Sequence, residues 1–130
     1  MDYRQAVQDA YNGFAQGDRR PLFSIMDPGI EWTEAAGYPY GGTYIGPDAI
    51  EHGIFSRVED EWDGYTATPD LILVDGPSVI VVGTYNGTYK ATSKSFRARF
   101  AHVWHFTGEN LVRFEQIVDS VKVMEALASL

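Results

Sequence analysis

Apolar positions recur every three to four residues near the start of the chain: Tyr3, Ala6, Val7, Ala10, Tyr11 and Phe14. That spacing predicts an amphipathic helix with one buried face. Gly17 suits the left-handed residue that ends such a helix. Asp18 is placed to cap a second, short helix carrying Leu22, Phe23, Ile25 and Met26, which Asp27-Pro28-Gly29 would end. Ile30 to Glu34 alternates apolar and polar, the mark of a short strand. Residues 35–46 are rich in Gly and Tyr and read as a loop. Pro47 fits the first position of a third helix, with Ile50, Ile54, Phe55, Val58 and Trp62 as its apolar stripe.

The rest of the pattern has a period of two. Tyr65 to Val74 reads as a strand that Pro69 interrupts, which predicts a bulge or a sheet edge. Asp75-Gly76-Pro77 is a turn. Ser78 to Tyr89 is β-branched and aromatic. Asn86-Gly87 could make a hairpin turn. Placing the turn at Ala91 to Lys94 instead, with a bulge at Gly87, gives longer matched strands. Ser95 to Phe106 puts Phe96, Ala98, Phe100, His102, Trp104 and Phe106 on one face. Thr107 to Asn110 turns the chain into a last strand, Leu111 to Val118. Asp119 or Ser120 then caps a final helix with Val123, Met124, Leu127 and Leu130.

Helices segregated from consecutive hairpin strands indicate an α+β fold. The expected architecture is a curved antiparallel sheet forming a cone, with three helices over its concave face. No repeat or linker divides the chain, so residues 1–130 are expected to form one domain. At 130 residues, folding buries about two thirds of the unfolded surface, enough for one core. The charge changes the picture more. Ten basic against 18 acidic residues give a net charge of −8, which speaks against nucleic acid and against an anionic membrane surface as partners. There is no cysteine, so disulfides and thiolate metal sites are excluded. The first residues lack the apolar stretch of a signal peptide, and no run approaches the ~18 apolar residues of a span. A cytoplasmic, soluble protein is the expectation.

Three stretches carry a resemblance. They are Ile30-Glu31-Trp32 with Tyr38-Pro39-Tyr40-Gly41-Gly42-Thr43-Tyr44-Ile45-Gly46-Pro47; Phe100-Ala101-His102-Val103-Trp104-His105-Phe106; and Leu111-Val112-Arg113-Phe114-Glu115-Gln116-Ile117-Val118-Asp119. Together they resemble the SnoaL-like branch of the cone-shaped, cystatin-like superfamily that also holds ketosteroid isomerases, nuclear transport factors and scytalone dehydratase. The resemblance spans nearly the whole chain. It implies the cone fold and a pocket for a small molecule. It leaves function open, because the fold hosts isomerases, cyclases, dehydratases and proteins without catalysis.

His102 lies mid-strand on the apolar face; if that face lines the cone, burial would keep the imidazole neutral and able to exchange a proton. The resemblance places it near the oxyanion-binding acid of ketosteroid isomerases. A plainer role is a hydrogen-bonded cavity histidine. Glu34 ends the first strand on the face of Ile30 and Trp32, where an apolar setting would raise its pKa and suit proton abstraction beside a carbonyl. It could equally be a solvated carboxylate on the Gly-rich loop. Gln116 departs from the resemblance, which implies a catalytic aspartate there; an amide only donates and accepts hydrogen bonds. The isomerases' acidic tyrosine is also missing, with Ala10 at its position and Tyr11 beside it. Asp119 is a helix cap or a group at the pocket mouth.

Trp32, Tyr40, Phe55, Trp62, Tyr85, Phe100, Trp104 and Phe114 are candidate pocket walls. His52, His102 and His105 have no metal-ligand spacing, and no metal or cofactor is expected. The outer sheet face, with Arg97, Arg99, Ala101, Val103, His105, Arg113 and Ile117, is where relatives of this fold pair as homodimers. Two functions follow. One is a cofactor-free isomerase, cyclase or dehydratase acting by proton transfer on a hydrophobic, oxygenated small molecule. The other is a non-catalytic module that binds an apolar ligand or keeps a vestigial pocket.

Overall fold

The computed structural model describes residues 1–128. Helix α1 (Tyr3–Ala15) buries Val7, Ala10 and Tyr11. The side chain of Asp2 caps it by accepting from the Gln5 N–H at 3.0 Å. Gly17 follows with φ +73°, the left-handed conformation expected of it. Helix α2 is only Arg20–Phe23. Ile25 and Met26, expected on it, do not belong to it. Strand β1 runs Met26–Glu34, and a shift of register between Met26 and Glu31 absorbs the Asp-Pro-Gly segment as a bulge.

The loop expected over 35–46 is shorter than its composition suggests. Gly42–Ile45 forms strand β2 and pairs antiparallel with Glu31–Glu34. Helix α3 (Pro47–Ile50), a π-helical turn (Glu51–Phe55) and helix α4 (Ser56–Glu61) follow as one helical run. Trp62 is not on that run. Its backbone is extended (φ −125°, ψ 147°) and it opens strand β3 (Trp62–Asp75).

Strands β4 (Ser78–Tyr89), β5 (Lys94–Thr107) and β6 (Asn110–Val118) complete a six-stranded, curved, unclosed sheet in the order β2-β1-β6-β5-β4-β3. All pairs are antiparallel except β1 with β6. β3 is an edge strand, and its register slips between Pro69 and Leu71, so Pro69 marks both edge and bulge. The β4–β5 turn lies beyond Tyr89, and Gly87 pairs with Phe96 without a break. The bulge expected at Gly87 sits opposite it, in β3 between Asp63 and Thr66. Inward residues of β5, from Phe96 to Phe106, are buried at every second position. Helix α5 (Ser120–Leu127) packs along β5 through Val123 and Ala126. Asp119 precedes it, but its side chain makes no capping bond. Leu130, expected on this helix, lies outside the described residues.

Candidate active site

The inner face of the sheet and the helices over it line a cavity of about 70 Å³. Ala10, Tyr11 and Phe14 reach it from α1, and Ile54, Phe55 and Val58 from the helical run. The sheet contributes Trp32 and Glu34 from β1, Tyr65 from β3, Tyr85 from β4, His102 and Trp104 from β5, and Phe114 and Gln116 from β6. Tyr38 enters from the loop after β1. Period-two alternation accounts for the sheet residues, because every second side chain faces inward. His102 and Gln116 are direct cross-strand partners on β5 and β6. The lining is aromatic and aliphatic with a few polar groups, the usual make-up of a small-molecule site.

Those polar groups form a connected chain. His102 is 4% exposed. Its Nδ1 lies 2.5 Å from the Tyr11 hydroxyl, and its Nε2 lies 2.5 Å from the Tyr85 hydroxyl. Trp104 Nε1–H donates to the Tyr11 oxygen at 3.2 Å. Gln116 Nε2–H donates to the Tyr85 oxygen at 3.0 Å, while Gln116 Oε1 accepts from the Ala35 N–H at 3.1 Å. Tyr38 and Tyr65 bond to each other through their hydroxyls. Glu34 is 5% exposed and accepts from Trp32 Nε1–H at 3.3 Å through Oε1. Its Oε2 is buried without a partner.

Burial sets the charge states. It pushes the Glu34 carboxyl up to about 8, only partly offset by the Trp32 hydrogen bond. It pushes the His102 imidazole down to about 3, so the ring is neutral near pH 7. Burial also raises the phenols of Tyr11, Tyr38, Tyr65 and Tyr85 well above their ordinary value. Near neutral pH the cavity is therefore almost uncharged. It holds one carboxyl poised to gain or lose a proton, and several hydroxyl donors. The described residues contain no cluster of three or more His, Asp or Glu side chains that could hold a metal ion.

The sequence matches the model of the SnoaL-like domain over residues 7–114. The chain belongs to the SnoaL-like family. No curated protein matches it. Among solved structures, it is similar to an NTF2-like protein of Burkholderia thailandensis, with 43% identity, 95% of each chain covered and a TM-score of 0.92. It is similar to an NTF2-like protein of unknown function from Burkholderia pseudomallei, with 26% identity, 96% of each chain covered and a TM-score of 0.88. It also resembles TerC, co-crystallised with polyporic acid, at 28% identity over 95% of each chain with a TM-score of 0.84.

In this SnoaL-like chain, His102, Glu34 and Gln116 all meet the cavity. So do five of the expected walls: Trp32, Phe55, Tyr85, Trp104 and Phe114. Phe100 sits behind it, stacked on the His102 ring with centroids 4.0 Å apart. Tyr40 is core: its hydroxyl donates to Glu61 at 2.6 Å and accepts from Trp62 Nε1–H at 2.8 Å. Trp62 lines an adjoining hollow with Arg19 and Glu59, which shares Phe14, Phe55, Val58 and Tyr65 with the cavity. Asp119 is not among the cavity residues, because it lies at the strand-to-helix junction outside the inner face.

Sequence reasoning missed Tyr11, Tyr38 and Tyr65 as polar members of this SnoaL-like site. Tyr11 had a signal: it is on the apolar stripe of α1, and a buried phenol needs a hydrogen-bond partner. Position 10 is alanine, but Tyr11 itself reaches the sheet and meets His102.

Proposed function

We propose that the cavity performs cofactor-free proton transfer on a small, largely apolar molecule carrying a carbonyl oxygen, giving isomerisation, cyclisation or dehydration. The observation that carries this reading is the buried Glu34 carboxyl, whose Oε2 has no partner, in one cavity with several phenolic donors. Ionised Glu34 takes a proton from the carbon beside the carbonyl. The C–H electron pair moves toward the carbonyl oxygen, and a wall hydroxyl donates a hydrogen bond to the charge that develops there. Glu34 then returns the proton to another carbon of the same molecule, which balances an isomerisation. With its pKa near 8, about a tenth of Glu34 is ionised at pH 7. His102 serves as a positioning residue here, since it stays neutral and both ring nitrogens already face tyrosines. The similarity to TerC, which was co-crystallised with polyporic acid, supports a small-molecule ligand.

The test is hydrogen–deuterium exchange at carbon. A panel of enolisable cyclic ketones is incubated with the protein in D2O and the α-proton signals are followed by NMR. Exchange is expected to speed up as pH rises and to level off above about 8, with Glu34→Gln reducing it at least 100-fold. Binding without exchange for every ketone would sink the enzyme reading. That result would favour the non-catalytic binding module. The cavity's size supports this second reading, since about 70 Å³ is well below the roughly 300–1,000 Å³ of sites for drug-sized ligands.

The same strands support a homodimer through the outer sheet face. In register across β3, β4, β5 and β6, Leu71, Val82, Ala101 and Ile117 form one outward row. Leu73, Ile80 and Val103 form a second. Two of the arginines on this face have partners within the chain: Arg99 with Asp70 at 2.6 Å and Arg113 with Glu31 at 3.9 Å.

A further inference from the structure

The Tyr11–His102–Tyr85 chain holds more donor protons than acceptors. A neutral imidazole has one N–H and one bare nitrogen. It can therefore accept from one tyrosine and must donate to the other. The tyrosine that receives the N–H keeps its own O–H proton unused. Both phenolic oxygens also accept an indole or amide N–H, from Trp104 and Gln116 respectively. One hydroxyl proton is thus left over, with no acceptor among these four side chains.

We infer that His102 carries its proton on Nε2 and that Tyr85 is the hydroxyl that donates to a ligand oxygen, with Gln116 as the positioning residue that keeps this donor free. The surroundings of the two tyrosines decide between them. Both rings line the cavity and pack against Phe100 and His102, but Tyr11 is also closed in by Trp104. Its hydroxyl meets the indole N–H and Nδ1, so its proton has an acceptor only at Nδ1. Tyr85 sits beside Tyr38 and Tyr65 on the cavity wall. It shares that cavity with Glu34 and its unpartnered oxygen.

Gln116 completes the arrangement. If its carbonyl oxygen faced Tyr85, it would take the spare proton and silence the donor. The Ala35 N–H, which can only donate, binds that oxygen and turns the amide nitrogen toward Tyr85. The loop after β1 thereby fixes the direction of a hydrogen bond on β4. A glutamate at 116 would satisfy Ala35 equally well, yet would offer Tyr85 a second oxygen.

This assignment deepens the proton-transfer reading and rests on it only for the ligand's chemistry. The first readout needs no ligand. Nitrogen-15 NMR of the histidine-labelled protein should show a protonated-type signal for His102 Nε2 and a bare-type signal for Nδ1. The reverse pattern overturns the inference. The second readout is binding of 4-nitrophenol as its phenolate, followed by absorbance. Tyr85→Phe and Gln116→Glu should each weaken binding roughly 10- to 100-fold, and Tyr11→Phe distinctly less. A larger loss for Tyr11→Phe, or full affinity in Gln116→Glu, overturns it. Circular dichroism checks that each variant folds. If the wild type takes up no phenolate, the oxyanion-stabilising reading of the cavity fails, and the tautomer assignment is decided by the nitrogen signals alone.

Discussion

Glu34 and His102 pull stability in opposite directions with pH. Burial raises the Glu34 carboxyl to about 8 in the folded state. The folded protein therefore holds a proton that the unfolded chain releases between about 4.3 and 8. Its contribution is fully present below the unfolded value and is lost as pH rises through 8. His102 is lowered to about 3, so the unfolded chain binds the extra proton between about 3 and 6.5, and acid destabilises the fold there. Each slope is about 1.4 kcal/mol per pH unit, and the two cancel between roughly 4.3 and 6.5. Urea midpoints should therefore be flat across that window, falling on either side. Glu34→Gln should remove the fall between 6.5 and 8; persistence of that fall would show that Glu34 is not its source. Much of this was legible beforehand: the alternation of Ile30, Trp32 and Glu34 puts the carboxyl on an apolar face, and the run from Phe96 to Phe106 does the same for His102. The polar groups around them were legible only in part. Tyr85 was expected as a wall, but Tyr11, Tyr38 and Tyr65 come from three other segments, and no spacing along one element reveals such a meeting.

Elements were readable where one face is buried and the period is clean. Helix α1 and strands β4, β5 and β6 follow from their patterns. Strand β2 escaped because its residues are exposed or half-buried, with no alternation to detect. The end of α4 escaped because Trp62 continues the helical stripe, and only the extended backbone shows that its ring faces inward from a strand. Gly83 on β4 illustrates what sequence pattern leaves out. A Cβ there would lie 2.3 Å from the Thr68 carbonyl oxygen and 2.6 Å from the Phe100 ring. The absent side chain leaves room for the Phe100 ring to lie over β4 on the inner face and stack on His102. Gly83→Ala should cost about 1–3 kcal/mol, since an overpacked site must shift backbone or ring. Chemical denaturation measures it, and an unchanged midpoint would mean that β3 yields freely. The same variant should broaden the His102 ring signals.

At the scale of the whole molecule, inside and outside are the two faces of the same strands. Ala101 and Val103 flank His102, and Ile117 follows Gln116, so the apolar outer rows are set by the alternation that builds the cavity. Paired through that face, the protein should sediment at twice its 14.5 kDa chain mass at micromolar concentration. Val103→Asp should shift it toward the single chain by placing an unpaired charge in the middle of the contact. A single-chain mass for the wild type would refute the pairing. No helix among the described residues is long and apolar enough to cross a membrane. The narrowness of the cavity, about 70 Å³, has a meaning in time as well as in space. A molecule larger than that fits only if the walls of the cavity draw apart. Capture then becomes a race between wall opening and diffusion, and past a certain abundance further ligand no longer hastens entry.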